Sequence, residues 1–155
     1  MASLAVNKRA LHDYEILKKF EAGIKLTGAE VKSVKLGKVD LTGSYVRISP
    51  TGEALLSNAT ISSYPPARDT QMHYDPRRNR TLLLHRKEIA SLTGTTKVRG
   101  ITLVPLSLYT RQGIIKLEMG LGRGKSKYDK RETIKKKEMK QRIRTHLLHN
   151  LLHNA

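Results

Sequence analysis

Between Arg123 and Arg144 half of the residues are lysine or arginine: eleven cations against Asp129, Glu132 and Glu138, a net charge of +8 in 22 residues. This segment holds few apolar residues before Ile143, and closely spaced like charges repel unless an anion lies among them. It is therefore expected to stay disordered or only nascently helical alone and to fold when laid along a phosphate track. The rest of the 155-residue chain carries +9 over six times that length, so a moderately basic body is expected at 1–122 and a densely basic tail at 123–155. The last residues, THLLHNLLHNA, differ again: Leu147, Leu148, Leu151 and Leu152 continue from Ile143 on one helical face.

The body reads as β-rich. Ile115, Leu117, Met119 and Leu121 alternate with Lys116, Glu118 and Gly120, the period of a half-buried strand. The run ITLVPLSLYT precedes it across a turn at Arg111-Gln112-Gly113, and Pro105 marks an edge or a bulge. A second hairpin is expected around Pro50-Thr51-Gly52, from 44–49 to 53–57, and a short buried strand at 81–85. A helix over 29–36 would start at an N-cap Thr27, stop at Gly37 and turn Ala29, Val31 or Lys32, and Leu36 to one side. Another is expected over 86–92, ending before Gly94. The stretch 11–20 fits both periods: Leu11, Tyr14 and Leu17 a helix, Tyr14, Ile16 and Phe20 a strand. Short strands at close spacing favour a small barrel or sandwich over a bundle.

The chain has no cysteine, which excludes disulfides, thiolate zinc sites and a cysteine nucleophile. No window approaches the roughly 20 apolar residues of a membrane span, and Leu4–Val6 is far shorter than a signal-peptide core, so a cytoplasmic protein without a membrane partner is expected. His146, His149 and His153 have helical spacing for a metal but no nearby carboxylate, and a polar helix face is the simpler reading. Gly120, Gly122 and Gly124 lack the order of a phosphate-binding loop and read as a flexible exit from the last strand. No cofactor is indicated, and neither is a nucleophile or acid–base pair.

Nucleic acid is the partner the charge favours, because each cation at a phosphate gains attraction and releases a counterion. Tyrosine supplies six of the seven aromatics. Tyr128, in KSKYDKR, lies between cations with no core to pack into, where stacking on a base is its best use.

Several blocks then occur in one order: NKRA at 7–10, HDYEIL at 12–17, FEAGIKLTGAEVKSVKLGK at 20–38, YDPRRNRTLLLHRKEI at 74–89, GITLVPLSLY at 100–109 and GRGKSKYDKRETIKKK at 122–137. Together they resemble the SsrA-binding protein (SmpB) family over about residues 7–144. The resemblance implies a mainly β fold, a small OB-fold-like antiparallel β-barrel with short helices, and a tail that becomes helical on the ribosome. It implies an RNA-binding adaptor, not an enzyme. The barrel would bind the tRNA-like domain of transfer-messenger RNA, and the complex would enter the A site of a stalled ribosome, the tail probing the decoding centre and the empty message channel. Alanyl-tRNA synthetase and elongation factor Tu would be partners only through the RNA.

By position, Asn7, Lys8 and Arg9 correspond to an amino-terminal RNA-contact block, and Glu30 and Lys32 to an RNA-facing surface of the barrel. Lys125, Lys127, Tyr128, Asp129, Lys130 and Arg131 correspond to the segment entering the decoding centre. Many relatives have His where Tyr128 stands, and the leucine-rich end departs from the short basic finish expected of the family. The competing reading is a ribosomal or ribosome-assembly RNA-binding protein; an enzyme acting on RNA is a more distant third.

Overall fold

A computed structural model describes residues 3–65 and 73–125. The elements run β1 (Ser3–Val6), α1 (Lys8–Asp13), β2 (Tyr14–Ile24), α2 (Gly28–Lys35), β3 (Val39–Asp40), β4 (Tyr45–Ile48), β5 (Ala54–Ser57), β6 (Thr60–Ile61), β7 (Arg80–Leu83), α3 (Arg86–Thr95), β8 (Ile101–Arg111) and β9 (Ile114–Gly124). Two compact units divide the chain, Met1–Gly124 and Lys125–Ala155. Of the second, only Lys125 is described. The expected behaviour of the tail, its leucine face and its histidines lies outside the described residues.

Alternation of apolar and polar residues drives the long hairpin. β8 and β9 pair along their whole length around Gln112-Gly113, both at positive φ (52° and 77°), the backbone that a two-residue turn needs to match the strand twist. β9 also pairs with β2, and the circuit β8–β4–β5–β7–β2–β9 closes back on β8 with every neighbour antiparallel. This is the OB-fold-like barrel that the family resemblance implies. Its interior is filled by Ala22, Val46, Leu56, Leu103, Leu108, Leu117 and Met119, all buried. The hairpin around Pro50-Thr51-Gly52 is also present, joining β4 to β5.

β1 and β4 share the second edge of β8. β1 covers residues 107–109 and β4 pairs at Leu103, which leaves a gap at Pro105 and Leu106. Pro105 is thus not on an exposed edge but beside a bulge in a strand with neighbours on both sides. Its carbonyl faces the gap, where it accepts from the Asn7 side-chain amide at 2.9 Å, and its nitrogen, which carries no N–H, leaves no ladder donor without a partner there.

Other expectations are corrected. The ambiguous stretch is a helix to Asp13 and a strand from Tyr14, so both periods are real and adjoin. β9 runs to Gly124, two residues beyond the expected end of the body. Gly120 and Gly122 are no flexible exit but buried strand residues. A Cβ at Gly120 would lie 2.9 Å from Ile16 Cγ2 and 3.3 Å from the Lys18 carbonyl oxygen. These glycines let the bulged part of β2 lie close against β9. α3 continues through Gly94 to Thr95, since that glycine keeps helical backbone. Leu83, inside the strand expected to be buried, is 52 % exposed.

Candidate nucleic-acid interface

Thr27 and Glu30 start α2 with a reciprocal capping box: the Thr27 side chain accepts from the Glu30 N–H (3.2 Å), and Glu30 Oε1 accepts from the Thr27 N–H (3.0 Å). Glycine 37, at φ 77°, follows the last turn as expected. The buried face is not the expected one, however. Glu30, Ser33 and Val34 point inward, while Leu36 is 62 % exposed.

Two arginines explain this burial. Arg80, at the start of β7, is fully buried; its Nε and Nη2 donate to Glu30 Oε2 at 3.0 and 2.7 Å, and its Nη1 to the Ala59 carbonyl at 2.7 Å. Arg80 Nη2 also lies 2.9 Å from both the Tyr74 hydroxyl and the Pro76 carbonyl. Arg78 Nε donates to Glu30 Oε2 at 3.2 Å, and its Nη2 to Oε1. The Tyr74 hydroxyl lies within hydrogen-bond reach of Glu30 Oε2 (3.0 Å) and of the Ile61 carbonyl (2.8 Å). Burial pushes the Glu30 carboxyl up, but Arg78, the Thr27 N–H and Arg80 outweigh it and hold the pKa at about 2. Burial and the neighbouring carboxylate push Tyr74 up to about 12. The cluster ties α2, the 74–80 segment and β6 to the barrel.

The structure divides the expected site residues. Glu30 is 1 % exposed, so the expectation of a carboxylate on the RNA-facing surface meets a buried group braced by arginines. Asn7 is 3 % exposed and works within the fold: its N–H donates to the Leu106 carbonyl (2.7 Å), its amide to Pro105 (2.9 Å) and Leu41 (3.3 Å), and its Oδ1 caps α1 through the Ala10 N–H (3.2 Å). Asn7 therefore fills the gap between β1 and β4. Lys8 and Arg9, on the helix it caps, are exposed. Arg9 Nε lies 3.6 Å from Asp13, an i,i+4 pair of little energetic weight. Lys32 is exposed, its Nζ 5.4 Å from the Tyr64 ring centroid. Lys125 is the last described residue. Lys127, Tyr128, Asp129, Lys130 and Arg131 lie outside the described residues.

A groove of about 660 Å³ was missed by reasoning on the sequence. Phe20, Glu21, Gly23, Leu83, His85 and Lys116 line much of it. Leu83 leans over Gly23, where an added Cβ would be 3.1 Å from Leu83 Cβ, and half its surface stays in water. Lys18 sits 5.1 Å from the Phe20 ring centroid. Glu21 is held by the Tyr109 hydroxyl and by Arg111 Nη1 (3.1 Å); the Tyr109 bond chiefly lowers its pKa, while burial and Glu21 raise that of Tyr109. The signal was present in the run Leu82-Leu83-Leu84, because a strand sends alternate residues to opposite faces and so must turn Leu83 outward.

Among the described residues no group of side chains is placed to hold a metal ion, and no helix is long and apolar enough to cross a membrane. The surface offers cations, an exposed leucine beside an aromatic ring, and a fixed carboxylate, which together suit phosphate, ribose and base.

Comparison with known proteins gives one consistent result. The family model described as SmpB protein matches residues 4–149. The SsrA-binding protein of Latilactobacillus sakei subsp. sakei (strain 23K) is 52 % identical over 135 residues, 87 % of this chain and 85 % of that protein. That of Sulfurihydrogenibium sp. (strain YO3AOP1) is 51 % identical over 140 residues, 90 % of each. A solved structure described as "tmRNA-SmpB: a journey to the center of the bacterial ribosome" superposes with a TM-score of 0.65 at 46 % identity, covering 84 % of this chain and 93 % of its own.

Proposed function

Because the chain belongs to the SmpB family, we propose that it is an RNA-binding adaptor that binds the tRNA-like domain of transfer-messenger RNA and delivers it to the A site of stalled ribosomes. The observation that carries this is identity of about half the residues with SsrA-binding proteins along nine-tenths of the chain. The protein makes and breaks no bond; charging with alanine and peptidyl transfer belong to alanyl-tRNA synthetase and the ribosome, and elongation factor Tu meets it through the RNA. It works in the cytoplasm, where ribosomes translate.

The chemistry distributes the roles. Lys8, Arg9 and Lys32 are exposed cations suited to the phosphate backbone. Asn7 and Glu30 act from within, Asn7 by capping the helix that carries Lys8 and Arg9, Glu30 by starting the helix that carries Lys32. In the groove, Phe20 and Leu83 offer apolar contact to ribose and base, Lys116 a phosphate contact, and Glu21 an acceptor for a 2′-hydroxyl or base amino group. Lys125, Lys127, Tyr128, Asp129, Lys130 and Arg131 form the segment for the decoding centre, with Tyr128 stacking there.

The test is the RNA that copurifies with the tagged chain from a lysate. The expected result is one dominant species with a tRNA-like acceptor end and a short reading frame. Recovery of ribosomal RNA alone, with that species absent, would support a ribosomal or assembly protein instead.

A further inference from the structure

One carboxylate serves two arginines in the buried cluster, so the group carries a surplus positive charge. The surplus falls on Arg78. Arg80 has no exposed side-chain surface, and its three nitrogens all have partners within the fold. Arg78 is 35 % exposed in its side chain. Its Nε and Nη2 each donate to Glu30, and its Nη1 donates to the Asn79 carbonyl at 3.2 Å. A guanidinium has five N–H donors. One N–H therefore remains on each terminal nitrogen, without a partner among the described residues. Those two hydrogens form the end of the fork, the geometry that takes two oxygens of a phosphate at once.

We propose that Arg78 is a phosphate-contact residue, its fork held open to solvent by Glu30, and that it grips the RNA backbone bidentately. This rests on the RNA-binding reading above and adds a residue and a ligand group to it. Glu30 then acts as a positioning residue. It fixes the Nε edge of the guanidinium, so that little side-chain freedom is lost when the phosphate arrives, while the deeper Arg80 keeps the carboxylate compensated. Arg77 and the α2 lysines Lys32 and Lys35 are also exposed and add positive potential.

The test uses the full chain, the unmodified protein beside Arg78→Gln and Arg78→Lys, and two partners: a transcript of the tRNA-like domain of transfer-messenger RNA, and purified ribosomes. Affinity is measured from 0.05 to 0.3 M salt, with the unfolding midpoint of each variant recorded. Arg80 still pairs Glu30 in both variants, so the fold should persist. Loss of one phosphate contact should weaken binding about five- to eight-fold at 0.1 M salt for Arg78→Gln and lower the log–log salt slope by about 0.7–0.9. Arg78→Lys should keep the slope but lose part of the affinity, since an ammonium has no fork. Loss with the transcript places the phosphate in the tRNA-like domain; loss confined to ribosomes places it in ribosomal RNA. Unchanged affinity and slope with both partners would overturn the role of Arg78 and leave the adaptor reading intact. An unmodified chain that binds neither partner would overturn both.

Discussion

At the scale of single residues, Glu30 and Arg80 are the positions with most to lose. A buried ion pair adds little over a well-packed apolar pair, but removing one partner strands the other charge, at about 3–5 kcal/mol. Arg80→Met should cost an amount in that range in urea unfolding, because Glu30 would keep only the half-exposed Arg78. The pH dependence has a definite sign. The folded-state pKa of Glu30, about 2, lies below its ordinary 4.5, so its stabilisation is complete above pH 4.5 and is lost as pH falls from there to about 2. A shift of that size corresponds to roughly 3 kcal/mol. Unfolding free energies of the unmodified chain and Glu30→Gln should therefore differ most near neutrality and converge only as pH approaches 2; a gap independent of pH would show that the carboxylate charge is not its source.

At the scale of elements, the close approach of β2 and β9 depends on two absent side chains. Gly120→Ala puts a Cβ against Ile16, Leu106 and the Lys18 carbonyl, whereas Gly124 has nothing within 4 Å of the equivalent position. Gly120→Ala should destabilise by about 1–3 kcal/mol, the usual range for overpacking, and Gly124→Ala should be close to neutral in the same denaturant titration. The pair also shows what a sequence conveys. β8 and β9 were legible because their alternation is local, and so was the Thr27 cap, whose partner is three residues away. The glycines were not, since their meaning lies in a strand a hundred residues distant. The inward face of α2 was misread for a related reason: hydropathy cannot mark a glutamate as buried when the arginines that compensate it are 48 and 50 residues further on. Asn7 looked like a polar contact residue, and only the gap between β1 and β4 reveals that its amide completes the sheet.

At the scale of the molecule, the charge divides but does not segregate. Residues 1–125 hold 21 Lys and Arg against 10 Asp and Glu, so the barrel alone keeps +11 of the +17. A body with that surplus should grip a phosphate backbone without its tail. β9 reaches Gly124, which pairs with Tyr14, so a cut made earlier would remove ladder hydrogen bonds and confuse lost function with lost fold. Ending the chain after Lys125 avoids this. The shortened protein should unfold at the same denaturant midpoint and bind the isolated tRNA-like domain within a few-fold of the full chain, with a salt slope that is still steep. It should fail to support tagging on stalled ribosomes, because the segment from Lys127 to Arg131 that would enter the decoding centre is gone. If instead the shortened chain stays folded yet no longer binds the RNA, the grip belongs to the tail, and Lys8, Arg9, Lys32 and the Leu83 groove lose the role proposed for them.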